Sequence, residues 1–446
     1  MSAESDKTFV EATAPAPSTA VPYQWSAYML EIYLGRNGPQ PLGTVKLQEI
    51  VDKAREVSKG HSDAFDFVHD GAGTNSTGEA NVKAFEKYRI VPRMLVDATI
   101  RSIETTIFGV KQISPLLIAP VGVQGIHHPD AELATAGAAG KVGVPFIMST
   151  ASSRSIEEVA QANGPGNTRW FQLYWPRTNE VTLSLLKRLK DNGFSVLVVT
   201  VDAVVLGWRS KDLSNRYTPY RHGFGIQVGT SDPVFMARFG KQPVIDYHPG
   251  FPYDPDTLDK RLEEGDENVA EGMRLGQAWG NEHNSGIYRT WEDLKFLRDN
   301  WDGPLVLKGI QSVQDAEMAV DYVDGIVVSN HGGRQVDGAI PSIDALDAIM
   351  RSPKVLEAQK SGKFTVLFDS GIRTGSDIIK AVALGAQGVL LGRPFLYGLM
   401  IAGQEGVEQI LKQTMADLHI SLGLSGWKEL DDIRGRRDDV LVKLDF

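Results

Sequence analysis

The chain has 446 residues, 42% hydrophobic and 23% charged, with a net charge of −10 and a pI near 5.5. That is a globular composition large enough for one or two cores, and its acidity argues against nucleic acid or an anionic membrane as the main partner. With no cysteine, disulfides, thiolate catalysis and Cys-ligated metal are excluded. No apolar run approaches the ~20 residues of a spanning helix, and no basic-then-apolar signal opens the chain, so a cytoplasmic enzyme is expected.

Residues 1–22 are rich in Ala, Ser, Thr and Pro and read as a disordered tail. Residues 23–446 read as one domain: N-terminal helices over 23–100, a barrel over 101–435 and an insertion at 210–300. Leu47, Ile50, Val51, Ala54 and Val57 recur at helical spacing. A Gly-rich turn follows Phe67, and a second helix is expected from Thr77–Gly78 through Tyr88.

Short apolar strands then alternate with helical stretches. The strands are expected at 116–120, 146–150, 170–174, 196–202, 304–309, 325–330, 365–371 and 388–393. Helices are expected at 131–142, 156–162, 182–192, 313–322, 344–350 and 375–384. Such alternation gives parallel sheet, and eight units give a closed (β/α)8 TIM barrel of class α/β. An open doubly wound sheet expects Gly-x-Gly-x-x-Gly after its first strand, which is missing here. About a hundred residues, 203–303, separate strands four and five. They leave the C-terminal end of a strand, where barrel active sites form, and are expected to be a lid. A closing amphipathic helix is expected over 407–422.

The strand ends carry the chemistry. They bring Val121 and Gly122, Ser149, Gln172 and Tyr174, Thr200 and Asp202 with Arg209, Lys308, Ser329 and His331 with Arg334, Asp369 with Arg373, and Gly392 with Arg393. A histidine titrates near neutrality, and an arginine three residues on can hold a carboxylate by two parallel hydrogen bonds. Together they point to proton abstraction from a small carboxylic acid. The loops holding Gly371, Arg373, Gly392 and Arg393 match the place where barrels bind phosphate. A phosphate-bearing organic cofactor is expected rather than a metal. His127-His128 reads as ordinary loop. Taken alone, these features also fit a non-redox, phosphate-binding barrel isomerase or lyase.

Ser329-Asn330-His331-Gly332-Gly333-Arg334-Gln335, followed by Phe368-Asp369-Ser370-Gly371-Ile372-Arg373 and Leu391-Gly392-Arg393-Pro394, resembles the FMN-dependent 2-hydroxy acid oxidising family over roughly residues 40–435. Gly207-Trp208-Arg209-Ser210-Lys211-Asp212-Leu213, Thr230 to Phe235 and Val91 to Leu95 are most similar to its lactate 2-monooxygenase members. The resemblance implies FMN as cofactor, a small 2-hydroxy acid such as lactate as substrate, oxygen as acceptor and a tetramer or octamer. It implies His331 as base, Asp202 as the carboxylate behind it, and Arg334 and Arg209 as the substrate carboxylate clamp. Tyr174 would touch the substrate hydroxyl, and Lys308 would sit near flavin N1. Val121, Gly122, Ser149, Gln172 and Thr200 would surround the ring. Ser329 and Asp369 would contact the ribityl chain, and Gly371, Arg373, Gly392 and Arg393 the phosphate.

Three positions depart from the common pattern. Phe67 stands where most members have a substrate-binding tyrosine; one hydrogen bond to a charged group contributes about 1.5–3 kcal/mol. Ala151 is small where some members are aromatic, which implies a roomier pocket. Gly122 is alanine in many oxidases and glycine in monooxygenase and dehydrogenase members, which implies space beside flavin N5. Retention of the keto acid while peroxide forms would give acetate, carbon dioxide and water from lactate. Early release would give pyruvate and hydrogen peroxide, and a dehydrogenase would pass the electrons to another carrier.

Overall fold

The computed structural model describes residues 25–444, so the tail expected over 1–22 lies outside the described residues. Eight parallel strands close into one barrel in chain order, the last pairing with the first through Val389–Leu116. They are Leu116–Ile118, Phe146–Ser149, Arg169–Leu173, Leu197–Thr200, Leu305–Ile310, Gly325–Val328, Thr365–Phe368 and Gly388–Leu391. Most end earlier than their apolar runs. Asp202, Asn330 and Asp369 lie past the last paired residue, in loops free to take other backbone shapes.

Side-chain alternation decides what faces the barrel interior. Leu117, Ile147, Trp170, Val198, Val306, Val327, Leu367 and Leu390 pack together inside it. Two residues further along the same strands come Ala119, Ser149, Gln172, Thr200, Lys308, Ser329, Asp369 and Gly392. The polar layer at the barrel mouth is therefore the upward continuation of the apolar interior. A hairpin, Thr105–Ile107 with Val110–Gln112, closes the opposite end. Its Phe108 ring lies 5.6 Å from that of Trp170. The strand–helix rhythm does not predict this hairpin.

The outer ring follows from local signals. Ser155 and Thr374 open Ile156–Asn163 and Gly375–Leu384 with capping boxes. Helices Ala131–Val142, Val313–Tyr322 and Gly375–Leu384 span their expected residues. The closing helix is longer than its amphipathic stretch: it runs Arg393–Leu424, with a break at Ala402 and Gly403. The helix expected to reach Tyr88 ends at Lys83 and passes through one 3₁₀ turn. Tyr88–Ile90 is a strand instead, because Leu441–Lys443 from the far end of the chain pairs with it.

The long connection is helical: Ser210–Ser214, Gln227–Thr230, Pro233–Ala237, Pro255–Glu263 and Glu267–His283 precede Leu294–Asn300. The last takes the barrel position between strands four and five and buries Leu294 and Leu297. Polar contacts brace the insertion internally and tie it to the barrel. His222 bonds Tyr253 at 2.8 Å and Asp259 at 3.0 Å. Arg188 on barrel helix Asn179–Asp191 reaches Glu157 at 2.8 Å and Asp232 at 3.3 Å. No described helix is long and apolar enough to cross a membrane.

Candidate active site

A cavity of about 280 Å³ opens at the C-terminal ends of the strands. It is lined by Phe67, Val121, Gly122, Ser149, Tyr174, Arg209, Lys308, His331, Arg334, Asp369, Gly371, Arg373, Gly392 and Arg393. Four residues named from the sequence stand behind this surface: Gln172, Thr200, Asp202 and Ser329. Ser149 Oγ donates to Gln172 Oε1 at 2.9 Å, and Gln172 Nε2 donates to Thr200 Oγ1 at 2.9 Å. Lys308 Nζ donates to Ser329 Oγ at 3.1 Å.

His331 sits in the left-handed region, at φ 61°. Its backbone N–H donates to Ser329 Oγ at 3.0 Å, and its Nδ1 lies 2.8 Å from Asp202 Oδ1. A carboxylate at Nδ1 accepts a hydrogen bond from Nδ1–H, which keeps the proton there and leaves the lone pair on Nε2. Burial pushes the imidazole below its ordinary 6.5; Lys308 and Arg209 add to this, and Asp202 only partly opposes it. Burial would raise Asp202, but His331 and Lys308 outweigh it and hold it low. Burial would lower Lys308, but Asp369, at 3.4 Å, and Asp202 keep it raised and charged. The resting set is a neutral imidazole between a carboxylate and an ammonium.

Gly309 belongs to this set, though the sequence does not single it out. Its φ is +110°, and a Cβ there would lie 2.6 Å from that of Asp202. Only glycine lets the carboxylate fold over the fifth strand. Gln335 closes the signature motif, and its role is a second one that only the structure shows. It donates to Asp202 O at 3.0 Å and Val205 O at 2.8 Å, and accepts from Arg209 Nη2 at 3.2 Å. It ties the loops after strands four and six together. Tyr220, a third, comes from the lid and lines the cavity with His283, in the place expected of a lid.

The N-terminal segment fixes the signature loop. Asn81 and Asn330 exchange amide hydrogen bonds at 2.8 and 2.7 Å. Asp337 accepts from Thr74 and Ser76 at 2.6 to 3.0 Å. Phe67 lies under the Arg334 guanidinium, 5.3 Å from ring centre to Cζ.

The arginines of the cavity donate to carbonyl or amide oxygens and not to carboxylates. Arg209 Nε reaches Arg334 O at 3.3 Å, and Arg334 Nη1 reaches Phe67 O at 2.5 Å. Arg373 Nη1 reaches Ile372 O at 2.8 Å. Arg393 donates to Val68 O, Gly332 O and Asp70 O at 2.9 to 3.3 Å. Its guanidinium therefore clamps the N-terminal segment to the signature loop. Burial and the neighbouring guanidiniums push Arg334 down to about 9 and Arg393 to about 10. Uncompensated buried cations of this kind stabilise bound anions.

The cavity fits a flavin mononucleotide. Gly392 faces it, and a Cβ there would meet only Ala119, at 4.0 Å. Arg373 supplies a buried cation at the same end, and Lys308, Ser149 and Asp369 supply polar groups along the floor. Gly392→Leu is expected to project into this space and weaken FMN binding by about 1–3 kcal/mol, roughly 5- to 150-fold. Quenching of flavin fluorescence on reconstitution measures it; an unchanged affinity removes Gly392 from the cradle.

One expectation about space changes. A methyl on Gly122 would lie 2.6 Å from both Cβ and O of Ala151, so the glycine reflects a close approach of two loops and not free room. Ala151 lines the cavity beside Gly122 and Tyr220, as a small residue at its wall. His127 and His128 do not form a pair. His127 is buried with neither ring nitrogen bonded, while His128 Nδ1 accepts from Asp130 N at 3.1 Å.

A family model described as FMN-dependent dehydrogenase matches residues 56–439. The chain is 44% identical over 414 residues to an FMN-dependent alpha-hydroxy acid dehydrogenase, qulF, of Penicillium citrinum, covering 92% of this chain and 95% of the other. It is 37% identical over 408 residues to an L-lactate oxidase of Lysinibacillus sphaericus, covering 91% and 94%. A crystal structure of mandelate oxidase superposes with a TM-score of 0.70 at 36% identity, covering 90% of this chain and 98% of that one.

Proposed function

The chain belongs to the FMN-dependent dehydrogenase family, and on that premise we propose that it oxidises an L-2-hydroxy acid of the lactate type with oxygen as acceptor and decarboxylates the keto acid before releasing it. It is an FMN-dependent 2-hydroxy acid oxidoreductase. What supports the roles of its residues is one arrangement: the His331–Asp202 pair, 2.8 Å apart, shares a cavity with the Arg209 and Arg334 guanidiniums.

Arg209 and Arg334 bind the substrate carboxylate. Both already donate to fixed backbone or amide oxygens, so the anion meets preorganised donors. Tyr174 orients the hydroxyl; its own proton is retained, because burial and Asp202 push it up to about 12. His331 Nε2 takes a proton from the bound acid, and Asp202 stabilises the imidazolium that results. FMN, when bound, accepts two electrons and passes them to the acceptor. Lys308 places a fixed positive charge at the cavity floor. Phe67 in place of a hydroxyl donor leaves the carboxylate to the two arginines.

Oxidative decarboxylation of lactate consumes one oxygen and yields acetate, carbon dioxide and water. The feature favouring it is the lid, whose Tyr220 and His283 line the cavity and hinder escape of the keto acid. Anaerobic addition of L-lactate should bleach the flavin spectrum, and aerobic turnover should yield acetate without peroxide. One peroxide per lactate would replace this reading by a simple oxidase. Reduction without oxygen uptake would replace it by a dehydrogenase serving another acceptor.

Since His331 must be unprotonated to act, kcat/KM should rise with pH through an inflection below 6.5 and then level off. The sign follows from the depressed value: the proton is lost earlier than from a free imidazole. An inflection above 6.5 in the pH profile would remove His331 as the base.

A further inference from the structure

Helix Glu267–His283 of the lid carries Gly272, Gly276 and Gly280, each four residues from the next. Glycine in a helix interior is destabilising relative to alanine, so each calls for a reason. Two have one inside the protein. The turn Pro219–His222 lies across the helix: a Cβ on Gly276 would overlap Tyr220 O, and one on Gly272 would lie 3.3 Å from His222 O. These two glycines let the turn approach closely enough to set Tyr220 in the cavity wall. Gly280 has no such neighbour. A Cβ there would meet no atom within 4 Å.

Helical spacing fixes where that open space lies. Residues three and four apart share a face, so Gly280 stands in line with Gly276 before it and with His283 and Asn284 after it. Gly280, His283 and Asn284 all line the active-site cavity, together with Tyr220. The face therefore packs on the turn as far as Gly276 and opens into the cavity at Gly280. Other glycines of the cavity wall are explained by the protein. A Cβ would lie 2.6 Å from that of Ala151 at Gly122 and 3.1 Å from Arg393 Nη1 at Gly332. Gly392 is open in the same way as Gly280, and it lies on the loop after strand eight, where the cofactor fits.

We propose that Gly280 is a specificity-determining residue, which leaves room for a 2-hydroxy acid whose side chain is uncharged and longer than the methyl group of lactate. This rests on the reading of the cavity given above. There the carboxylate is held by Arg209 and Arg334 and the α-carbon stands at His331, so the substituent on that carbon is the part left to meet the lid. The lid offers it no charge. Tyr220 keeps its proton because burial pushes it up, and His283, whose Nδ1 lies 2.7 Å from Trp279 O, is neutral because burial lowers it to about 4. A second carboxylate would find no cation among these groups.

The test follows anaerobic flavin reduction of the holoenzyme by L-lactate and by L-2-hydroxyhexanoate. In the natural chain kcat/KM for 2-hydroxyhexanoate should at least equal that for lactate. Gly280→Leu should lower the hydroxyhexanoate-to-lactate ratio about tenfold or more, as a misfit of one methylene or more does in a pocket. Perturbation of the oxidised flavin spectrum by 2-oxohexanoate and by pyruvate should show the same change in relative affinity, with no turnover involved. Gly280→Ala, a smaller filling, should lower the ratio about two- to threefold and raise the melting temperature. A lowered melting temperature in Gly280→Ala would show that the fold itself needs the glycine, and would overturn the assignment. So would a natural chain that prefers lactate, or a ratio unchanged in either folded variant, which is what a merely loosened lid predicts. In each of these cases lactate still reduces the flavin and the reading of the cavity stands. A flavin reduced by neither acid overturns that reading, and the role of Gly280 with it.

Discussion

His331→Ala is expected to keep its flavin and to lose about 10²- to 10⁴-fold in the rate of anaerobic flavin reduction by substrate, the usual contribution of a positioned general base. The two halves of this result come from different parts of the cavity. His331 is held by Asp202 at 2.8 Å and by Ser329 Oγ on its backbone N–H. Gly371, Arg373 and Gly392 line the same cavity from the loops after strands seven and eight, and removing the imidazole is expected to leave them standing. The histidine's φ of 61° is one that histidine takes more readily than alanine, so retention of the flavin spectrum in the variant also reports that the loop keeps its shape. Stopped-flow reduction beside a spectrum of the purified variant measures both halves. A variant that is reduced at the normal rate sinks the assignment of the base.

Arg334→Met carries the second large effect. Truncating one partner of a buried, hydrogen-bonded charge pair costs about 2–5 kcal/mol, so kcat/KM should fall roughly 30- to 5,000-fold. Arg334 also donates to Phe67 O and Asp70 O, so part of any loss is structural. Two readouts separate these. Photoreduction of the flavin should remain possible in Arg334→Met, and Arg334→Lys should recover part of the carboxylate affinity because the charge remains. A substrate dependence unchanged in Arg334→Met would exclude the guanidinium from the clamp.

Most of the site was legible because it is written locally. Side chains alternate along a strand, so an apolar interior residue predicts what stands two positions later: Val306 leads to Lys308, Val327 to Ser329 and Leu367 to Asp369. Gly309, and the role of Gln335 within its motif, were not legible because their reasons are distant ones. Gly309 is dictated by Asp202 lying over it, and Gln335 by carbonyls on the loop after strand four. Tyr220 was hidden in a stretch with no strand–helix rhythm to place it.

The sequence alone determined the barrel, the order of its strands and the residues that ring the mouth, because strand alternation, helix caps and loop signatures act over a few residues. Only the tertiary structure decided that Tyr88 begins a strand, since its partner is Leu441–Lys443. It also decided that Gly122 gives no extra room and that Arg393 commits its guanidinium to three carbonyls. Each of these depends on which segments, far apart in the chain, are brought within a few ångströms, and no local pattern records that distance.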